Sequence, residues 1–187
     1  MAVTFTPSGT AAAGGVQQSY ALELTALQEG QLSDIRDNTI GTYINETGAV
    51  LAFGNIVTYA SGGTVPNSAK TISGTSETVV GVNVLTYVDE KATDANSRPG
   101  VKAAQAVNVL NKGAVAMYVH GSVTPSTAVR VIHTATGVQY AGQLRSASLS
   151  GKTAVLSNAR YLTSVTGSGL AVVELNGPSF TLTADNS

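Results

Sequence analysis

The chain contains no cysteine and no tryptophan among its 187 residues, and only two histidines. Without thiols there is neither a disulfide framework nor a thiolate metal site, so stability has to come from packing, hydrogen bonds and assembly. Charge is scarce too: 11% of residues are Asp, Glu, Lys or Arg, against about 25% in an average soluble domain. Ten basic residues stand against eleven acidic ones, a net charge of −1, which leaves no electrostatic footprint for nucleic acid. A surface this neutral follows either from a Thr/Ser-rich β exterior or from cover by partners, because interface cores are depleted in charge. No apolar run approaches the ~20 residues that span a bilayer, so no membrane partner is expected. The first Lys or Arg is Arg36, and the start therefore lacks the basic region of a secretory signal. The expectation is a protein that stays where it is made.

The same scarcity removes the catalytic candidates. His120 and His133 would have to converge with a carboxylate to hold a metal. His120 precedes Gly121 at the end of an apolar run, and His133 closes the Val129, Val131, His133 face of another, so both read as structural or solvent-facing. No Gly-x-Ser-x-Gly elbow is present, and Asp34, Asp37, Glu46, Asp89 and Glu90 are too scattered to define an acid/base pair. Ser150-Gly-Lys-Thr153 is similar to the end of a Walker A loop, yet Ser146 stands where that loop needs its first glycine, and no helical stretch follows. It reads as a turn. Asn45-Glu-Thr47 spells a glycosylation acceptor that, without a signal peptide, does not meet the machinery. No enzyme, catalytic residue, cofactor or metal is expected.

What is present in quantity is β-forming sequence between turn residues. Short runs of Val, Ile, Thr and Tyr recur from Thr39 onward and predict strands near 39–45, 50–53, 55–59, 79–88, 106–110, 114–119, 128–133, 138–140, 159–165 and 170–175. Ser61-Gly-Gly63, Asn111-Lys-Gly113, Thr124-Pro-Ser126 and Thr134-Ala-Thr-Gly137 supply the turns, and Thr166-Gly-Ser-Gly169 closes a last hairpin that Asn176-Gly-Pro178 ends. Asp89–Gly100, the most polar stretch, reads as a long exposed loop. Residues 1–19 are small and aperiodic and read as an arm that is mobile when free and ordered on assembly. Tyr20–Leu27 alternates as a strand would. The predicted organisation is an all-β fold, a small barrel or sandwich of short antiparallel strands, with an arm and entry segment over 1–38, the β domain over 39–175 and a C-terminal tail over 176–187.

In residue order the closing hairpin, Ala159-Arg-Tyr161 followed by Leu170-Ala-Val-Val-Glu174, resembles that of the structural cement proteins of tailed-phage heads. Three further stretches are similar to the same family: Gly30-Gln-Leu-Ser-Asp34 with Tyr43-Ile-Asn-Glu46, Ala52-Phe-Gly54 and Val57; Val80-Gly-Val82; and Val107–Val119 with Ala128-Val-Arg-Val131. The resemblance implies a decoration protein, made in the host cytoplasm and carried on the virion, that binds the outside of an assembled head and stiffens it against packaged DNA. Its implied partners are the major capsid protein and copies of itself, with a trimer favoured. The arm and entry residues Val3, Phe5, Leu32, Ile35 and Arg36 are the expected partner contacts. A tail, fibre or adhesin module binding host carbohydrate is the alternative; seven Tyr and three Phe without Trp offer it few sugar-stacking platforms.

Overall fold

The structure, a computed structural model, describes residues 27–33, 37–60, 67–86 and 91–185. Among them are fourteen strands and no helix. In chain order these are β1 Thr39–Asn45, β2 Leu51–Ala52, β3 Ile56–Tyr59, β4 Ser68–Thr71, β5 Val79–Asn83, β6 Lys91–Thr93 and β7 Pro99–Val101. β8 Ala106–His120, β9 Arg130–Ile132, β10 Leu144–Arg145, β11 Thr153–Leu156, β12 Ala159–Tyr161, β13 Gly169–Asn176 and β14 Leu182–Ala184 follow. The all-β expectation holds, and the barrel form of it is what the chain adopts.

β8 organises everything else. At 15 residues it is long enough to carry different partners on its two halves and its two edges. One edge pairs first with β1, with Ile44 opposite Ala106 and Thr39 opposite Lys112, and then takes the entry segment at Leu32↔Val115 and β10 at Val119 and His120. The other edge takes β5 at Val109 and Leu110 and then β13, from Asn176 opposite Lys112 through to Gly169 opposite Val119. Around its first half the order β1-β4-β3-β5-β8, with β8 returning to β1, closes a five-strand barrel. Its second half leads through β10, β9 and β11 to β14, while β12 and β13 flank it on the far edge. A smaller sheet of β2, β7 and β6 sits beside the barrel.

A single irregularity lets one strand feed two cores. Val107 and Val109 lie in one cluster with Leu51, Phe53, Val57, Ala69, Val80 and Val101. Val115, Met117 and Val119, also odd-numbered, lie in the other with Ile56, Val82, Leu110, Val131, Leu144, Tyr161 and Val173. Side chains alternate with period two, so equal parity would put all five on one face. The register slips where Lys112 faces Thr39 but Leu110 faces Ile40, leaving Asn111 as the extra residue of a bulge that switches faces.

Several sequence readings are corrected here. Asn111-Lys-Gly113 is not a turn: β8 runs through it, and Gly113 is required because a Cβ there would sit 1.9 Å from Asn38 Oδ1 at φ +133°. Asp89–Gly100 is not simply an exposed loop, since Lys91–Thr93 pairs with Pro99–Val101. Asp94 makes the turn between them by accepting the N–H groups of Asn96 and Arg98 at 2.8 and 2.9 Å, a side chain imitating backbone. Val138–Tyr140 is no strand; only an isolated bridge joins Thr136 to Gln139. β12 stops at Tyr161, and Val165 bridges Val123 instead of continuing the hairpin. The end of the chain, read as a tail, adds β14 to the edge of β11 and places Phe180 in the larger core. The strand expected over Tyr20–Leu27 and the arm over 1–19 lie outside the described residues, Leu27 excepted.

Gly81 shows how tightly the barrel wall is built. At φ +148°, a Cβ there would meet Leu110 O at 2.1 Å, across the β5–β8 pairing that joins the two cores. Gly81→Ala is expected to destabilise the fold by about 2–4 kcal/mol, read as a lowered denaturant midpoint. Tyr161→Phe is expected to leave the midpoint unchanged or raise it, because the buried Tyr161 hydroxyl finds no partner and losing it removes a desolvation cost.

Candidate functional site

No constellation of reactive groups forms among the described residues. Among the described residues no three His, Asp or Glu side chains gather as metal ligands would. His120 Nε2 meets Gln143 Oε1 at 2.8 Å and its ring stacks edge-on against Tyr118. His133 bonds the Thr134 hydroxyl; burial pushes its pKa down and the Glu77 charge works against that. Ser150-Gly-Lys-Thr153 is the turn into β11, closed by Lys152 N–H to Leu149 O at 2.9 Å, and Lys152 Nζ reaches the Thr136 hydroxyl. These residues hold loops in place.

The surfaces worth weighing are the two sides of the seam between the barrel and the second half. One side is locked. Arg98, from the β6–β7 turn, pairs with the Asp94 carboxylate at 2.7 Å and stacks over the Tyr140 ring with its guanidinium carbon 4.4 Å from the centroid. Its Nη1 donates to Asn55 Oδ1 at 3.3 Å, and Asn55 Nδ2 donates to Ala141 O at 3.0 Å. Ile56 N–H reaches Gly142 O at 2.9 Å, so the 139–143 loop of the second half is fixed on β3. Glu29 belongs to the same cluster. Burial raises its pKa and Asp94 adds to that, while Arg98 and a hydrogen bond from Gln143 oppose the rise.

The other side of the seam is open. Where β1 begins and β13 ends, both meet β8 at Lys112, and a groove of about 450 Å³ lies between Asp37, Lys112, Ala114, Leu162, Glu174 and Asn176. Its floor is apolar at Leu162 and Leu175, its rim charged. Glu174 pairs with Arg160 beside it. β1 continues this surface: Thr39, Ile40 and Thr42 are exposed, and β4 pairs with β1 only at Ile44 and Asn45. The remaining outer edge of β1 is unpaired among the described residues.

Of the expected contact residues, Val3, Phe5, Ile35 and Arg36 lie outside the described residues. Leu32 is committed to the chain's own core: it bridges Val115 and packs on the larger cluster. Sequence reasoning did not find Arg98, Tyr140 or the groove. The Asp94-to-Arg98 spacing of an Asx turn was the one local signal, and residues as far apart as Leu162 and Lys112 gave none.

The described residues thus present a β scaffold with tightly tied loops and one open strand edge. The model of the family described as "Structural cement protein (E217 gp24/Pam3 gp6)" matches residues 16–176, and the chain belongs to that family. Its fold is similar to that of a chain in the solved structure "The capsid of Myoviridae Phage XM1", with a TM-score of 0.60 and 14% identity, over 86% of this chain and 97% of that one. No curated protein matches the sequence.

Two outcomes test the seam and its surroundings. Arg98→Ala is expected to cost about 1–3 kcal/mol, and Arg98→Lys to recover little, since an ammonium cannot serve Asp94, Asn55 and the Tyr140 face at once; thermal midpoints of the variants check both. On the barrel, burial raises the pKa of Glu77, but hydrogen bonds from Lys70 and Ser73 with the Lys70 charge outweigh it and hold the group at about 2. A depressed carboxylate stabilises the fold above its unfolded pKa near 4.5 and loses that contribution as pH falls towards 2. Glu77→Gln is therefore expected to flatten the loss of stability between pH 4.5 and 2, followed by the thermal midpoint against pH.

Proposed function

We propose that this protein decorates the outer surface of an assembled phage head and strengthens it against the pressure of packaged DNA. The observation that carries the proposal is the family match over residues 16–176. The capsid origin of the neighbouring fold points the same way. The physical character of the chain suits the role. Eleven per cent charge and a net charge of −1 give a surface that can lie against shell subunits and other copies without desolvating many ions. Two cores sharing one long strand make a brace that resists shear across its width, because the halves cannot separate without breaking β8. Its proposed partners are the major capsid protein and copies of itself in a symmetric oligomer, a trimer, and repetition over a symmetric lattice multiplies modest contacts into high avidity. Synthesis in the host cytoplasm precedes assembly onto the virion.

Heads prepared with and without the protein test this. Those lacking it are expected to release DNA at lower temperature or after milder osmotic shock, and adding the purified protein back is expected to restore the threshold. Unchanged head stability combined with loss of host attachment would replace this reading with the adhesin one.

A further inference from the structure

We propose that the outer edge of β1 is a docking edge for the N-terminal segment Ala2–Thr6 of a second copy of this chain, an inference that rests on the assembly reading above. The edge has hydrogen-bonding capacity to offer. Asn45 N–H bonds Gln105 O at 2.9 Å on the β8 side, while Ile44 N–H bonds Asn67 O at 2.9 Å on the opposite side. Alternation therefore turns the N–H and C=O groups of Thr42 and Ile40 away from β8, where among the described residues no strand pairs with them. Their side chains are exposed, Ile40 by 43%.

Soluble proteins blunt such edges with Lys, Pro, inward charge or a bulge, because a free edge templates pairing with another chain. Thr39-Ile-Gly-Thr-Tyr43 has no charge and no proline, and its one irregularity lies at the Thr39 end. The opposite end of the sheet is treated differently: beside β14 the Asp185 carboxylate is fixed by Arg130 at 2.7 Å. An undefended edge in an otherwise managed fold is one that is covered in the working assembly.

The occupant has to be extended, uncharged and β-forming. Ala2-Val-Thr-Phe-Thr6 alternates Val3 and Phe5 with Thr4 and Thr6, and no charged side chain precedes Glu23. The groove at the head of β1, floored by Leu162 and Leu175, is an apolar rest for one of those two side chains. Twenty-six residues precede Leu27, enough chain to span up to about 86 Å when extended, which reaches a neighbour on a shell. The same chain's arm starts away from β1: on the β8 edge that β1 uses, Ser33 N–H bonds Ala114 O at 3.0 Å and Gly30 N–H bonds Ala116 O at 2.8 Å, so the chain traced back from β1 runs along β8 away from it before the arm begins. A neighbour's arm approaches β1 directly.

Because the chain lacks cysteine, disulfide trapping reads the pairing without background. Full-length protein carrying one cysteine at residues 2 to 6 is mixed with protein carrying Ile40→Cys or Thr42→Cys, oxidised in solution and on heads, and resolved without reductant. Bridged pairs are expected in the mixture, peaking at arm positions two residues apart, and absent from either sample alone. Thr42→Pro, which deletes an outward N–H and spares the bonds to β8, is expected to cut bridging about tenfold with an unchanged circular dichroism spectrum. Bridging within the Thr42→Cys sample alone would show β1 paired with another β1 and overturn the proposal. So would an internally bridged monomer when both cysteines share one chain, or no bridging in solution and on heads. Head occupancy, measured separately by densitometry, tells failure of the edge pairing from failure of decoration.

Discussion

The register of β8 is the constraint on which the rest of the structure depends. A strand has two edges and two faces, and here all four are in use along 15 residues. β1, the entry segment and β10 share one edge, β5 and β13 the other. The bulge at Asn111 turns the odd-numbered side chains from the barrel core to the larger one. Without that extra residue, Val115, Met117 and Val119 would point away from Leu144, Tyr161 and Val173, and burying either set would expose the other. Gly113 is the local condition for it, since the chain passes against Asn38 where no side chain fits.

Binary pattern and turn chemistry made part of this legible. β1 and β13 were readable because Thr39–Asn45 and Leu170–Leu175 combine β-branched residues with flanking punctuation. Asn111-Lys-Gly113 misled because the local chemistry of a tight turn and of a glycine-containing bulge is the same; only the partners on either side, β1 and β13, decide between them. β4 and β11 escaped notice because Ser68-Ala-Lys-Thr71 and Thr153-Ala-Val-Leu156 are short and partly small, held by neighbours rather than by propensity. β6 and β7 were hidden in polar sequence for a similar reason: the Asp94 side chain builds their turn. β14 follows a Gly-Pro stop and gains its place from Phe180 and the Asp185–Arg130 pair.

The candidate surface was less legible than the fold. Family resemblance pointed to an interaction protein, and the low charge agreed, yet the groove and the open edge of β1 are products of topology. They exist because β4 leaves β1 after two residues while β8 keeps it for six, Thr39 to Ile44. Leu32, expected from the sequence as a partner contact, is partly buried against the larger core. The two sides of the seam thus differ: Arg98, Tyr140 and Asn55 hold the halves together on one, and the groove lies open on the other.

The central claim is that one unbroken strand makes the two halves a single mechanical and cooperative unit. Native-state hydrogen exchange of the β8 amides tests it most directly. The account predicts that amides from Val107 to Val119, including those flanking Asn111, exchange only through global unfolding, with one common free energy and denaturant dependence. Two separate opening energies, one for the amides before the bulge and another for those after it, would contradict the account.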